Sequence, residues 1–159
     1  MFGVEQASSA TGGEHVISNL VANPHAIDRE LRRIAKDEAR LLHEKTHLLV
    51  TAVRLRVWAV FGRGSMLEYL EEIFGYTPKV ARDHVRVAFA IEEMPVLGEM
   101  LESGEQTYTA LRELTRVATP STVHEWREAA RGMNVRQVEQ LVSARAKGDR
   151  PGDARDPEL

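Results

Sequence analysis

The chain reads as an all-α protein, and three observations carry that reading. Apolar residues recur at every seventh position from Ile27 to Leu55. Helix-start and helix-stop residues alternate through the rest of the sequence, and no useful length alternates apolar with polar residues as a half-buried strand does. One long N-terminal helix followed by a helix-turn-helix-containing bundle of short helices is the expected architecture.

The elements follow in order. Residues 1–23 are rich in Gly, Ser and Ala and weakly patterned, which predicts a flexible segment. From Ala26 to about Val60, Ile27, Ile34, Leu41, Leu48 and Leu55 form a stripe widened by Leu31, Leu42, Leu49 and Ala52, and no proline interrupts it. The spacing permits coiled-coil pairing, hence a homodimer through residues 26–60; it equally permits one face packed on the rest of the domain. Glu38 and Lys45 fall within the stripe. Gly62–Gly64 breaks this helix. Ser65 with Glu68 is a capping box, and Gly75 marks the end of a short helix. Thr77–Pro78 is a cap followed by a proline at the first helical position. Met94–Pro95 closes that second helix and opens a short one to Ser103, with Gly104 beyond it. Thr107 or Thr109 opens the next, with Leu111, Leu114 and Val117 inward. Thr119–Pro120 predicts a helix through about Ala130, stopped by Gly132; Asn134 caps a last one with Val135, Val138, Leu141 and Val142 inward. The polar, Gly- and Pro-containing end predicts a disordered tail or linker over 147–159, leaving 24–146 as the folded domain.

The 159 residues are 43% hydrophobic and 28% charged, ordinary for a soluble globular protein. The net charge of −3 supplies no global attraction for nucleic acid, so any such attraction must come from local clusters. The absence of cysteine excludes disulfides and thiolate metal sites. Neither a signal peptide nor an apolar run of membrane-spanning length is evident, so no membrane partner and a cytoplasmic location are expected, nucleoid-associated if the protein binds DNA.

Chemistry concentrates in Ser65–Met94. Two helices joined by a tight turn, the second basic on its outer face, follow the logic of major-groove binding. Lys79, Arg82 and Arg86 stand at i, i+3 and i+7 behind the Thr77 cap, sharing roughly one face. Arg112 and Arg116 add phosphate-contacting capacity further on, and Arg127, Arg131, Arg136, Arg145 and Lys147 leave the later helices locally basic. The expected partner is double-stranded DNA, and the expected nucleic-acid-binding residues are Thr77, Lys79, Arg82, Arg86, Arg112 and Arg116. The bland alternative is a helical hairpin with solvated cations.

His43-Glu44-Lys45-Thr46-His47 matches the H-E-x-x-H pattern of zinc peptidases. At about 100° per residue, His43 and His47 point away from the apolar stripe and should face solvent. Lys45 sets a cation beside the notional metal, and no third ligand is marked. The match is read as fortuitous: no metal, no cofactor and no catalytic residue are expected. Trp58 and Trp126 read as core anchors.

Two resemblances follow from these residues. Ser65–Val142, with GYTPKVARDHVRVA, EEMPVLGEMLESGEQTYTALREL and MNVRQVEQLV, resembles the central DNA-binding domain of ParB-type partition proteins. Leu31–Leu159 more closely resembles the helical N-terminal region of bacterial HNH-endonuclease-like proteins of the myxobacterial type, through SMLEYLEEIFGYTPKVARDHVRVA, ALRELTRVATPSTVHEWREAARG, VRQVEQLV and GDRPGDARDPEL. The resemblance implies a DNA-targeting region that a nuclease domain usually follows. An HNH site needs histidines on a ββα element, and no histidine follows His124. The expectation for these residues is therefore a non-enzymatic DNA-binding module, with a protein-interaction or dimerisation module built on the long helix as the alternative.

Overall fold

The computed structural model describes residues 23–159, and all regular secondary structure among them is α-helical. The helices are α1 (Pro24–Leu55), α2 (Val57–Val60), α3 (Met66–Phe74), α4 (Pro78–Glu93), α5 (Pro95–Glu102), α6 (Tyr108–Leu114), α7 (Val123–Ala130) and α8 (Val135–Val142). The flexible segment expected over 1–23 lies, apart from Asn23, outside the described residues. Asn23 caps α1: its side-chain oxygen accepts from the backbone N–H of His25 and of Ala26.

The chain divides into two units, Met1–Asp37 and Glu38–Leu159. The helix-turn-helix lies in the second unit. In the first unit Arg32 pairs with Asp28, and Arg33 with Glu30 and Asp37, all exposed one-turn pairs of the kind that add little stability. Ile27, Leu31 and Ile34 are exposed there.

In the second unit α1 buries Thr46, Leu49 and Val50, while Leu41, Leu48 and Leu55 stay exposed. The face that packs is therefore offset from the heptad stripe. The long helix also stops at Leu55 instead of about Val60. Arg56 takes the left-handed conformation (φ 50°, ψ 47°), and its N–H turns back to the Val53 carbonyl at 3.2 Å. The bend lets Trp58 pack beside the core that α1 shares with α3 and α4, with the Arg56 guanidinium 6.0 Å over its ring.

Two apolar clusters meet at α4. Leu49, Val50, Met66 and Leu70 pack with Ala81 and Ala88 of α4. Val87 and Ile91 of the same helix pack into the larger cluster built by α5 to α8 around the fully buried Trp126. Leu111, Leu114 and Val117 are buried as the pattern predicted; in α8 Val138 and Val142 are buried, with Val135 and Leu141 partly so. Thr107 opens α6, its hydroxyl accepting from Ala110 N–H. Asn134 and Gln137 form a reciprocal capping box at α8.

Two expectations change here. The helix expected from Thr119–Pro120 starts at Val123, because the Thr122 hydroxyl accepts from Thr119 N–H at 3.0 Å and holds residues 119–122 in a turn. Residues 147–159, expected to be a disordered tail or linker, fold back on the unit. Gly148 N–H donates to the Val117 carbonyl at 2.9 Å, and the Trp126 indole N–H donates to the Asp149 carbonyl at 2.9 Å. Arg145 donates to the carbonyls of Pro151 and Asp153. Asp149 and Asp153 each accept from a backbone N–H three residues upstream, so the segment is a chain of capped turns.

Candidate nucleic-acid interface

The helix-turn-helix forms as its caps dictate. Ser65 Oγ accepts from Glu68 N–H, while the Glu68 carboxylate reaches one residue past the cap to Gly64 N–H at 2.9 Å. Gly75 ends α3 at φ 68°, ψ 21°, a conformation costly for residues with a Cβ. Thr77 then starts α4, its hydroxyl accepting from Val80 N–H at 3.3 Å. Thr77 thereby caps α4 through an oxygen lone pair, and this contact leaves its hydroxyl hydrogen unused.

Because both apolar clusters occupy the inner sides of α4, its outer side is left to Lys79, Arg82, Asp83, Arg86 and Glu93. Lys79, Arg82 and Arg86 are exposed, and no ion pair involves Lys79 or Arg82 among the described residues. Packing of α6 against α4 opens a polar cleft of about 780 Å³ beside this face. Lys79, Arg86, Arg112, Arg116 and Lys147 line it, opposed by Asp83, Glu93 and Glu113. Four of the five expected cations therefore converge; Arg82 stands outside the cleft on the exposed flank of α4.

Buried Thr115 organises the floor. Its hydroxyl accepts from Arg86 Nη1 at 2.7 Å and donates to the Arg112 carbonyl at 2.6 Å, and its own carbonyl accepts from Lys147 Nζ at 3.0 Å. Arg86 also lies 3.6 Å from Asp83. Glu113 is shared between Arg112 at 3.4 Å and Arg116 at 3.0 Å, which pins both guanidinium groups at the rim. Burial lowers the Lys147 pKa; Glu93 opposes that shift and Arg86 adds to it. Neither Thr115 nor the inward role of Lys147 was legible: no local pattern marks Thr115, and Lys147 belonged to the expected tail. Arg127 and Arg145 are drawn away from the basic surface, since Arg127 grips Glu105 and Arg145 serves the backbone of the C-terminal turns, while Arg131 stays exposed beside Glu128.

Behind α4, four rings stack in series. Phe74 lies 5.1 Å from Tyr76, Tyr76 lies 4.5 Å from His84, and His84 lies 4.7 Å from Tyr108, with interplanar angles of 19°, 8° and 13°. Lys45 Nζ sits 5.0 Å over the Phe74 ring and donates to the Tyr76 hydroxyl at 2.6 Å. Burial, then Lys45, depresses the His84 pKa to about 4 against an opposing effect of Asp83, so this ring is neutral at ordinary pH. Burial raises the Tyr108 pKa, with Asp83 and Tyr76 adding to it. The column ties the turn, the second helix and α6 together.

The H-E-x-x-H histidines separate in role. His47 is exposed as expected, but His43 is not solvent-facing. Its Nδ1 lies 3.1 Å from a Glu102 carboxylate oxygen, and its Nε2 occupies the space where a Cβ on Gly98 would fall, 2.5 Å away. His43 therefore packs α1 onto α5. Among the described residues no group of three or more His, Cys, Asp or Glu is placed to hold a metal ion, and no helix is long and apolar enough to cross a membrane.

No protein-family model matches the chain, and neither a curated protein nor a solved structure matches it.

Proposed function

We propose that the protein is a DNA-binding helical module, the targeting region of an HNH-nuclease-like protein, and that it is not itself catalytic in these residues. The observation that carries the reading is the capped α4, presenting Lys79, Arg82 and Arg86 outward beside a cleft that gathers Arg112, Arg116 and Lys147. In this reading α4 lies in the major groove. Arg82, exposed and without an ion-pair partner among the described residues, reaches the duplex first. Arg86, oriented by Thr115, and the paired Arg112 and Arg116 hold phosphates and fix register. Asp83, Glu93 and Glu113 temper the cleft, which suits reversible binding by a chain of net charge −3. Association with the nucleoid follows.

Fluorescence anisotropy with a labelled duplex at low and moderate salt tests this. Affinity should fall with salt by roughly 0.9 log units per log unit for each phosphate neutralised. Arg82→Ala/Arg86→Ala should flatten that slope by about 2 if both meet phosphates, or relax sequence preference if they reach base edges. No binding at low salt, or a double variant that binds identically in both slope and sequence preference, refutes the reading.

A further inference from the structure

The second unit carries an apolar groove on the side formed by α1 and α3, built from different residues from the basic cleft. It measures about 970 Å³, and Leu41, Leu48, Tyr69, Ile73 and Phe74 are among its walls. Leu41 is 55% exposed, Leu48 64% and Ile73 50%. Large aliphatic side chains presented together in this way mark an interaction surface rather than scattered surface residues.

We infer that this groove is a two-fold homodimer interface, in which α1 of one copy lies antiparallel to α1 of the other, each ridge seated in the other's groove. The same patch holds both halves of the fit: a ridge at Leu41, and a trough between that ridge and the Ile73–Phe74 end of α3. A surface that is its own complement closes with a single two-fold and leaves no free copy of itself. Charge selects the direction. Glu38 and Lys45 stand one heptad apart in the groove wall. A parallel pair would set Glu38 against Glu38 and Lys45 against Lys45. An antiparallel pair with its axis near Leu42 brings Glu38 of each copy beside Lys45 of the other, twice over. The Lys45 ammonium donates to Tyr76 and lies over two rings, and an ammonium has three N–H donors, so donors remain for a carboxylate.

The test is oligomeric state, independent of DNA. Sedimentation equilibrium of the full 159-residue chain should give a dimer at high micromolar concentration. Leu41→Glu should give a folded monomer with the helical content of the wild type, since Leu41 is exposed in one copy. Orientation is read by oxidative cross-linking, for which the chain, having no cysteine, is a clean background. In the antiparallel pair Leu41→Cys lies within a turn of the axis and should cross-link. Leu48→Cys should not, because at 1.5 Å rise per residue its mate lies about 18 Å further along the helix. A monomer at high concentration, as when residues 1–22 or a foreign protein fill the groove, overturns the inference. So does a dimer indifferent to Leu41→Glu, or efficient cross-linking through Leu48→Cys.

Discussion

Replacing Gly75 by alanine isolates one physical quantity. Gly75 sits at φ 68° between the two helices of the helix-turn-helix, and a Cβ built on it meets nothing within 4 Å. No clash is introduced, and the Gly75 N–H bond to the Glu71 carbonyl at 2.8 Å need not move. What remains is the cost of holding an L-residue in the left-handed region, about 1–2 kcal/mol. Against the size of this unit that corresponds to a fall in melting temperature of roughly 3–8 °C. Asparagine tolerates the same conformation better, so Gly75→Asn should lose distinctly less than Gly75→Ala. Thermal and urea unfolding of the three proteins measure it, and the urea slope should not change, because the surface exposed on unfolding is the same. If alanine costs nothing, or asparagine costs as much as alanine, the turn does not use the left-handed conformation and the placement of α4 relative to α3 is misread.

Other outcomes follow from the same structure. Thr77→Ala should cost about 1 kcal/mol in urea unfolding and weaken the proposed DNA binding only indirectly, through the first turn of α4. Trp126→Phe removes the indole donor to Asp149, so amide exchange at Gly148 should accelerate; an unchanged rate at Gly148 would mean the C-terminal turns are not anchored there. His84 has a folded pKa depressed to about 4, so the unfolded chain binds the extra proton first as pH falls. Its contribution is complete above the unfolded value of 6.5 and is lost as pH drops from there toward 4. Proton NMR should show His84 titrating near 4, and His84→Phe should flatten the stability profile over that interval.

The short-range grammar of the fold was readable, and the long-range choices were not. Ser65, Gly75, Thr77, Thr107 and Asn134 each sit at the helix boundary that their chemistry prescribes, because a cap is decided within three or four residues. The periodicity of α1 named a stripe but not the face that packs: the buried residues are Thr46, Leu49 and Val50, chosen by what α3 and α4 present to them. The bend at Arg56 has the same origin, since burial beside Trp58 outweighs an unbroken helical pattern. His43 was placed in solvent because nothing local announced that Gly98 leaves room for it 55 residues further on. Polar composition concealed the order of 147–159, although its aspartates, spaced to cap turns, were a usable signal. In the candidate interface the cations on α4 were evident, while their convergence with Lys147 depends on Thr115, whose two acceptor oxygens gather side chains from distant parts of the chain.

That α4 contributes to both apolar clusters has a consequence for how the protein comes apart. The helix-turn-helix cannot open as a separate piece, because freeing α3 and α4 from the α5–α8 bundle strips Val87 and Ile91 from the larger cluster. Amides in the middle of α4 should then exchange only through global opening, at the slowest rate in the second unit, while α2 and the C-terminal turns exchange by local fluctuation. A two-helix fragment cut from Ser65–Glu93 would lack half the surroundings that hold its second helix. Such a fragment should be largely unfolded in water, and the motif could not be transplanted onto another scaffold without bringing its bundle along.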